Sequence, residues 1–391
     1  MSRPIYLDHA ATTALRPEVR AAMEPFLSQN YANPSSIYRM AQAARSAVDA
    51  ARDTIVGCLG ARSDEMIFTS GGTESNNAAI KGTALARQMA GRHVVTSAIE
   101  HHAVLYPMQE LQERFHFDVA IVPVSSSGVV DPTWLQQTLR PETVLISCMW
   151  ANNEIGTVQP VEEIGKLARD LGVPFHVDAV QVAGALTIDL RHAPIDLMSI
   201  SAHKFYGPKG IGALYVRRGT PWWPLLVGGR QERNRRAGTE NVAGIVGMAE
   251  ALRLACLDRE TAQAHACALR DCLIAEVMRR IPNTHVNGDL ERRLPNNANF
   301  TFDGVQGESL LVALDLAGIM ASSGSACTSG STEPSHVLTA IGLSDDEARG
   351  SLRLTVGRES TMEEMVRTVD VLVHLVERQR LTASKTQRAT A

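Results

Sequence analysis

Two stretches of sequence decide the fold: His176-Val177-Asp178-Ala179-Val180-Gln181 and Ser201-Ala202-His203-Lys204-Phe205-Tyr206-Gly207. Asp178 ends an apolar run that begins at Val173, and Lys204 follows a second apolar run, residues 195–200. Such runs predict buried strands of a sheet that is covered on both faces. We therefore expect an acid and a lysine to lie close together at the edge where the two strands end.

Strand and helix patterns alternate on both sides of these stretches. Strands are predicted at 66–69, 93–97, 118–124, 143–149, 173–177, 195–200 and 211–216. Helices are predicted at 17–29, 36–58, from Thr73 onward, and at 102–115, 132–139 and 161–171. This alternation is typical of βαβ units, and it predicts an α/β fold with a mainly parallel seven-stranded sheet covered by helices.

The pattern changes after about residue 240. An Ala-rich helix is predicted up to about residue 280, with strands near 297–303 and 351–356 and a last helix at 361–379. The sequence therefore predicts a large domain, residues 15–257, and a smaller α+β domain formed by residues 1–14 and 258–391.

Composition excludes several classes of protein. The chain has 391 residues and a net charge of −4, which gives no reason to expect a nucleic-acid or membrane partner. Its first residues lack a hydrophobic signal segment, and no apolar run approaches the length of a membrane span. Six cysteines with no CxxC pair favour reduced thiols over a zinc site or disulfides. We expect a cytoplasmic protein.

The acid and the lysine indicate a pyridoxal-phosphate (PLP) site. A lysine can form a Schiff base with PLP, an acid can pair with the pyridinium nitrogen, and Ser201 and His203 can hold the phosphate. The alternative is a surface lysine beside a buried core histidine. The other motifs make that alternative the weaker one.

A glycine turn supplies a second element of the site. Thr69-Ser70-Gly71-Gly72-Thr73-Glu74-Ser75-Asn76 joins a strand to a helix, and the N–H groups at a helix start attract phosphate. Gly72 and Thr73 are therefore candidate phosphate-binding residues. No Gly-Lys-Ser/Thr follows, so this is not a Walker A loop. Taken alone, the stretch is more typical of an ordinary helix start with a glycine turn than of a phosphate site.

Two further polar segments follow strands of the same sheet. Glu100-His101-His102 follows strand 93–97, and Asn152-Asn153-Glu154-Ile155-Gly156 follows strand 143–149. An imidazole at this edge, that of His101, is suited to stacking on an aromatic cofactor and to moving protons. Adjacent histidines point in different directions, which argues against a zinc pair.

Six motifs together resemble a known family. They are Tyr6-Leu7-Asp8-His9-Ala10-Ala11-Thr12-Thr13, Ser70–Asn76, Asn152–Gly156, Ser201–Lys204 with Tyr206–Gly210, Arg236-Ala237-Gly238-Thr239-Glu240-Asn241, and Ser322-Ser323-Gly324-Ser325-Ala326-Cys327. The chain resembles PLP-dependent cysteine desulfurases of the NifS/IscS type, in class V of the fold-type I aminotransferases. The resemblance extends in order from residue 5 to about residue 358.

The resemblance implies a role for each matching residue. Lys204 would carry the cofactor, Asp178 would pair with its ring nitrogen, and His101 would stack on the ring and move protons. Gln181 and Asn153 would lie near the phenolic oxygen and the substrate. The phosphate would be bound by Gly72, Thr73, Ser201, His203 and, from the neighbouring subunit of a homodimer, Thr239. Arg353 would bind the substrate carboxylate, with Arg358 a weaker candidate.

Cys327 separates this family from ordinary aminotransferases. Its Ser- and Gly-rich surroundings, residues 322–331, predict a mobile, exposed loop. The resemblance implies that the Cys327 thiolate takes sulfur from L-cysteine, becomes a persulfide and passes the sulfur to an acceptor or iron–sulfur scaffold protein. No metal site is expected, apart from a transient iron–sulfur ligand at Cys327.

Some features limit what the resemblance implies. The loop continues into Thr332-Glu333-Pro334-Ser335-His336, as in the long-loop branch of the family, whereas the tail after residue 380 does not resemble a scaffold-docking C-terminus. Three alternatives stay open: a selenocysteine lyase or another class V enzyme, a non-enzymatic assembly protein with this fold, and, remotely, a zinc hydrolase built on His101 and His102.

Overall fold

The computed structural model describes residues 4–323 and 334–390. Cys327 lies outside the described residues. The strands are β1 (Ile5–Tyr6), β2 (Met66–Thr69), β3 (His93–Ser97), β4 (Asp118–Val122), β5 (Thr143–Met149), β6 (Phe175–Asp178), β7 (Leu197–Ser201), β8 (Gly212–Val216), β9 (Thr284–Val286), β10 (Asn297–Phe302), β11 (Ile319–Met320) and β12 (Ser351–Thr355). The helices are α1 (Pro17–Ser28), α2 (Arg39–Leu59), α3 (Gly72–Ala86), α4 (His102–Phe115), α5 (Pro132–Thr138), α6 (Val161–Asp170), α7 (Val242–Arg280), α8 (Gly307–Leu316), α9 (His336–Ala340), α10 (Asp345–Arg349) and α11 (Met362–Thr390).

A seven-stranded sheet forms the centre of the larger part of the protein. Its strand order is β2-β8-β7-β6-β5-β3-β4. Strand β8 runs in the opposite direction to the other six strands. Every residue of β3, β5 and β7 is buried, as expected for strands covered on both faces. The predicted α/β fold with a mainly parallel sheet is confirmed, and each of the seven predicted strands is present.

Helices bury the apolar faces of this sheet. Helix α3 packs on β7 and β8, α4 packs on β4, and α6 packs on β6. Helix α6 shows why its sequence folds this way: Val161, Ile164 and Ala168 recur at helical spacing and are buried, whereas Glu162 and Glu163 face solvent.

A second, smaller core lies around a three-stranded antiparallel sheet of order β12-β10-β9. The N-terminal strand β1 pairs in parallel with β11, and Ile5 and Leu7 belong to this smaller core. The two- and three-residue strands β1, β9 and β11 were not predicted, because they are too short to give a repeating pattern.

Helix α7 connects the two cores as one continuous helix of 39 residues. Its residues up to Leu254 pack in the larger core, and those from Ala266 onward pack in the smaller one. The proposed domain boundary after residue 257 falls between them and stays a proposal. Leu294, Val337 and Leu338, from the segment predicted for the small domain, pack in the larger core.

The last helix is longer than the sequence indicated. Helix α11 extends to Thr390, beyond the predicted end at residue 379. Among the residues that the structure describes, no helix combines the length and the apolar character needed to cross a membrane.

Candidate active site

A cavity of about 330 Å³ lies at the carboxyl edge of the seven-stranded sheet. This volume falls within the range of small-molecule sites, roughly 300–1,000 Å³. The segments just after β2, β3, β5, β6 and β7 contribute to its wall, and β12 contributes from the smaller core. Its lining includes all predicted cofactor-binding residues except Thr239: Gly72, Thr73, His101, Asn153, Asp178, Gln181, Ser201, His203 and Lys204.

Asp178, the last residue of β6, presents a buried carboxylate to this cavity. Its Oδ2 accepts a 2.6 Å hydrogen bond from Nδ2 of Asn76, and its Oδ1 accepts one of 3.0 Å from the Val180 N–H. The two donors fix the orientation of the carboxylate. Sequence reasoning did not assign a role to Asn76. The sequence feature that could have identified Asn76 is helical spacing: Asn76 lies one turn after Gly72 on α3 and therefore on the same face of the helix.

Lys204 ends a single 3₁₀ turn, Ala202–Lys204, that directly follows β7. Its Nζ donates hydrogen bonds of 2.6 Å and 2.8 Å to the carbonyl oxygens of Ala10 and Ala11. Nε2 of Gln181 donates to the same Ala10 oxygen at 3.0 Å. The N-terminal segment is therefore part of the site, and it holds the lysine beside the cavity.

The glycine turn between β2 and α3 brings backbone close to the cavity. A Cβ atom at Gly72 would lie 2.7 Å from Cγ2 of Val180, so a larger residue there would displace the segment that carries Asp178. Helix α3 begins at Gly72, and Gly71 before it has no side chain to cap the first N–H groups. These N–H groups suit an anion such as phosphate.

His203 lies in the same wall as the glycine turn. Burial and the Lys204 charge lower the pKa of His203 to about 4, so the ring is neutral at pH 7 and offers one N–H donor. Its Nδ1 is 3.1 Å from Oγ1 of Thr12, and Thr13 donates from both N–H and Oγ1 to its carbonyl oxygen. Ser201 adds a buried hydroxyl.

Thr239 lies apart from the cavity and is exposed to solvent. The segment that carries it is nevertheless tied to the glycine turn: Arg236 donates to both carboxylate oxygens of Glu74 at 2.9 Å and 3.1 Å. Burial favours the protonated form of Glu74, but the hydrogen bonds from Arg236 and Ser70 outweigh it, and the pKa of Glu74 is lowered. Arg236 thus neutralises an acid in the first turn of α3.

His101 caps the N-terminus of α4. Its Nδ1 accepts a 3.0 Å hydrogen bond from the Ala103 N–H, so the proton of the neutral ring resides on Nε2. Burial lowers the pKa of His101 and favours this neutral form. The ring centroids of His101 and His102 are 6.2 Å apart, and the ring planes are inclined at 64°. Within residues 4–323 and 334–390, no group of three or more His, Cys, Asp or Glu side chains is arranged to hold a metal ion.

Glu100 is fully buried behind His101. Its Oε1 accepts hydrogen bonds of 2.5 Å from Ser97 and 2.8 Å from the Met149 N–H, which tie the end of β3 to the end of β5. Burial raises the pKa of Glu100 to about 8. From the sequence, Glu100 was only a neighbour of His101. A polar motif does not indicate which of its side chains will be buried.

Arg353 brings the smaller core to the cavity. It lies in β12 and is 1 % exposed, and its Nη2 and Nη1 donate to Oδ1 of Asp8 at 2.7 Å and to the Asn153 carbonyl at 2.9 Å. Its Nε has no partner among the described residues. A guanidinium with a remaining donor at a cavity wall is suited to a carboxylate ligand. The pairing with Asp8 was not predicted, because 345 residues separate the two.

Arg358 lines a different cavity. This second space, of about 400 Å³, shares Lys204 and Gln181 with the first one but does not include Asp178, His101 or the glycine turn. It is the larger of the two cavities, but its lining does not include Asp178 or the predicted phosphate-binding residues of the first cavity. The geometry therefore favours Arg353 over Arg358 for the predicted carboxylate contact.

The chain on either side of residues 324–333 is attached beside the first cavity. Ser322 forms two backbone hydrogen bonds with Arg353, of 2.6 Å and 3.3 Å. On the other side, Oγ of Ser335 donates to the buried carboxyl of Glu154 at 2.6 Å, and Nε2 of His336 donates to the Glu100 carbonyl oxygen at 2.9 Å. One flank of the segment with Cys327 thus contacts Arg353 in the cavity wall, and the other contacts Glu154 and Glu100, the sequence neighbours of the lining residues Asn153 and His101.

Comparison with known proteins gives relatives along almost the whole chain. A cysteine desulfurase IscS of Dictyoglomus turgidum is 52% identical over 380 residues, which cover 97% of this chain and 96% of that protein. A cysteine desulfurase IscS of Methanosarcina thermophila is 49% identical, with coverages of 97% and 93%. A solved NifS-like protein superimposes with a TM-score of 0.90 at 36% identity, covering 96% of this chain and 99% of the other.

A further solved structure contains a ligand. It is described as SspA in complex with cysteine, and it matches with a TM-score of 0.80 at 38% identity, covering 91% of this chain and 100% of the other. The aminotransferase class-V family matches residues 5–367. Fold, sequence and family match agree, and we conclude that the chain belongs to the aminotransferase class-V family.

Proposed function

We propose that this protein is a PLP-dependent cysteine desulfurase, which converts L-cysteine to L-alanine and transfers the sulfur to Cys327. One observation carries the proposal: Asp178, Lys204 and Arg353 line a single cavity. The three residues supply the acid, the lysine and the carboxylate-binding group that the reaction requires. The similarity to cysteine desulfurases over 97% of the chain supports the choice of substrate.

The residues of the cavity fit PLP. Asp178 is a buried acid oriented by two donors, which suits the protonated nitrogen of a pyridine ring. A Cβ atom at Gly72 would lie 2.7 Å from Cγ2 of Val180, and the first N–H groups of α3, which no side chain caps, suit a phosphate. Gln181 lines the same cavity and would lie near the cofactor.

When bound, PLP supplies an electron sink for the pair released as the substrate α-carbon loses its proton. Nζ of Lys204 is the base that we assign to that proton. Arg353 orients the substrate through its carboxylate, and the neutral ring of His101 provides the stacking face. His101 holds its proton on Nε2 and acts there as a hydrogen-bond donor, because its Nδ1 is occupied as the acceptor of the Ala103 N–H; a proton can be taken up only when that Nδ1 contact opens.

Cys327 is the proposed sulfur acceptor. Its thiolate attacks the sulfur of the substrate, the carbon–sulfur bond breaks, and Cys327 becomes a persulfide while the substrate carbon skeleton leaves as alanine after protonation. The anchoring of Ser322 on Arg353 and of His336 on Glu100 supports this role, since Arg353 lines the cavity and Glu100 is next to the lining residue His101.

We further propose a homodimer in which Thr239 contacts the phosphate of the neighbouring subunit. Thr239 is exposed and cannot serve the cavity of its own chain directly. Large apolar side chains are exposed before it in the sequence, at Val227 (84 %), and before α2, at Tyr31 (72 %) and Ile37 (90 %). The 2.5 Å ion pair between Arg45 and Glu240 joins α2 to the Thr239 segment.

A sulfur-acceptor or iron–sulfur scaffold protein is the proposed destination of the sulfur, and the cytoplasm the proposed location. All five cysteines in the described residues are free thiols, as expected in a reducing compartment.

The function is tested by incubating the PLP-bound protein with L-cysteine. We expect alanine to form and the Cys327 peptide to gain the mass of one sulfur atom. The Cys327→Ala variant should keep the absorbance of bound PLP but form no persulfide and release no sulfide. Full sulfide release by this variant, or turnover of selenocysteine with none of cysteine, would contradict the proposal.

A further inference from the structure

The turn that follows β5 contacts two parts of the proposed active site. The Asn153 carbonyl oxygen accepts a 2.9 Å hydrogen bond from Arg353, the residue proposed to bind the substrate carboxylate. Oε2 of the next residue, Glu154, accepts one of 2.6 Å from Oγ of Ser335. Ser335 follows, in the chain, the segment that contains Cys327. Two neighbouring residues of one turn therefore hold the proposed substrate-binding arginine and the chain that returns from Cys327.

The position of Glu154 is fixed from both cores. Its N–H donates to Oδ1 of Asn152 at 2.8 Å, and its carbonyl oxygen accepts from Nδ2 of Asn297 and Nδ2 of Asn299 at 3.2 Å and 3.1 Å. Asn152 follows β5 of the larger core, whereas Asn297 and Asn299 belong to β10 of the smaller core. All four residues are buried. Glu154 is therefore a rigid point of attachment, because its main chain is bonded to both cores.

Ser335 connects this point to helix α9. Besides donating to Glu154, its Oγ accepts hydrogen bonds from the N–H groups of Val337 and Leu338 at 3.2 Å and 3.3 Å, so Ser335 is the N-cap of α9. Val337 and Leu338 are buried in the larger core. Because the Ser335 oxygen already accepts from two donors, its hydrogen is directed to Glu154. Removal of the Glu154 carboxyl would leave a buried hydroxyl without that acceptor.

Glu154 differs from the other residue that holds this flank. Glu100 accepts from His336 through its main-chain carbonyl oxygen, whereas Glu154 accepts from Ser335 through its side chain. Only the second contact therefore depends on which side chain occupies the position. Glu154 does not line the cavity with Lys204, so it can act on the reaction only through the residues that it holds.

We propose that Glu154 is a positioning residue for sulfur transfer. Its hydrogen bond to Ser335 fixes the point at which the chain returns from Cys327 to the fold, next to the residue that holds Arg353. This role rests on the proposed desulfurase function, because it concerns the step in which Cys327 takes the sulfur. Loss of the Glu154 carboxyl should slow that step and leave the binding of PLP and L-cysteine unchanged.

The role requires an acceptor rather than a charge. Burial raises the pKa of Glu154, while the Ser335 hydrogen bond and the nearby Arg353 oppose this rise. A carboxylate, a neutral carboxyl and an amide all accept a hydrogen bond from a hydroxyl. Glu154→Gln should therefore keep the contact, whereas Glu154→Ala and Ser335→Ala each remove it. Glutamine could not replace a glutamate that acted by transferring a proton.

The test uses the full-length, PLP-bound protein and measures the first-turnover rate of persulfide formation on the Cys327 peptide. We expect the rate to fall roughly tenfold or more in Glu154→Ala and in Ser335→Ala, because misplaced reacting groups lose rate steeply. Glu154→Gln should stay within about threefold of wild type. The Kd for L-cysteine, measured from the change in PLP absorbance, should be the same in all three variants. The double variant Glu154→Ala with Ser335→Ala should be no slower than the slower single variant, because both remove one hydrogen bond.

Ser344→Ala is the matched control. Ser344 caps α10, the next helix along the chain, and its Oγ contacts Glu347. Loss of this exposed cap destabilises a short helix. It should leave the first-turnover rate unchanged, so a slow Ser335→Ala variant cannot be attributed to a missing helix cap.

Three results would overturn the assignment: wild-type rates in both alanine variants, a Glu154→Gln rate as low as that of Glu154→Ala, or a loss of L-cysteine affinity that accounts for the slower rate. If Glu154→Ala does not fold, Ser335→Ala decides, since it keeps the buried carboxyl. A wild-type protein that forms alanine and the Cys327 persulfide supports the desulfurase function whatever the variants do. A wild-type protein without the persulfide contradicts both the function and the role of Glu154.

Discussion

Nδ2 of Asn76 donates a 2.6 Å hydrogen bond to Oδ2 of Asp178, and both side chains are buried. This contact joins the helix that follows the glycine turn to the end of the central strand β6. The carboxylate proposed to hold the ring nitrogen of PLP is thereby oriented by the same helix whose N-terminus is proposed to hold the phosphate.

The Asn76→Ala variant should bind PLP more weakly. A hydrogen bond to a charged group contributes about 1.5–3 kcal/mol, so the Kd for PLP is expected to rise about tenfold or more. Absorbance titration of the PLP-free protein measures this change. Asn77→Ala is the matched control, because Asn77 donates to the Thr73 carbonyl on the outer side of the same helix. Equal affinities of the two variants would contradict the assignment.

Glu100 should make stability depend on pH. Its pKa is near 4.5 in an unfolded chain and about 8 in the folded protein, where burial raises it. Between these values the folded protein holds one more proton than the unfolded chain. Its free energy of unfolding should therefore fall as pH rises from about 5 to 8, with no further loss above pH 8 from this group.

Denaturant unfolding of wild type and Glu100→Gln at several pH values checks this prediction. The glutamine cannot ionise, so the variant should lack the decline that Glu100 causes, and the difference between the two proteins should change with pH. The exposed Glu113→Gln variant should follow wild type. A difference between wild type and Glu100→Gln that is constant from pH 5 to 8 would show that Glu100 does not titrate in this range.

Arg353→Lys should weaken substrate binding while PLP still binds. Lysine keeps the charge but loses the planar set of donors, and a loss of about 2–3 kcal/mol corresponds to a decrease in kcat/KM of roughly 30- to 200-fold. Steady-state alanine formation measures the loss, and PLP absorbance shows that the cofactor site is intact. Arg358→Lys serves for comparison, and a larger effect there than at Arg353 would reverse the assignment.

The buried ion pair of Arg52 and Glu232 should be essential for stability. Nη2 of Arg52 lies 2.6 Å from Oε1 of Glu232, and the guanidinium lies 4.6 Å from the centre of the Phe68 ring. Glu232→Gln leaves a buried charge without its partner, which typically costs about 3–5 kcal/mol.

Urea unfolding measures this cost. The control is Glu250→Gln, which removes the partner of the more exposed Arg253 and should cost less than about 1 kcal/mol. Similar losses in the two variants would mean that the buried pair contributes no more than a surface pair. Because Glu232 precedes Thr239 on the same segment, the proposed subunit contact should weaken together with the stability.

Much of the fold could be predicted because its signals are local. The seven sheet strands are apolar runs bounded by polar residues or glycine, and strand ends such as Asp178 and Ser201 therefore indicated one edge of the sheet. The short strands β1 and β11 could not be predicted, because their two residues each become a strand only by pairing with each other across the chain.

The site was predictable to the extent that its residues follow the ends of strands. Lys204, Asp178 and His101 do so, and the cavity includes them. Asn76, Glu100 and Asp8 were missed as participants, because their roles depend on burial or on partners distant in sequence. The predicted phosphate contact of Thr239 stays a proposal, since it requires a second subunit.

The contact between Asp8 and Arg353 has a consequence for the order in which the protein matures. Ala10 and Ala11 line the cavity together with Arg353, whose partner Asp8 lies 345 positions earlier in the chain. During synthesis, the N-terminal segment leaves the ribosome long before its partner exists. The cavity can be completed only when nearly the whole chain has emerged, so cofactor capture should be a late event in biogenesis that nascent chains truncated before Arg353 do not reach.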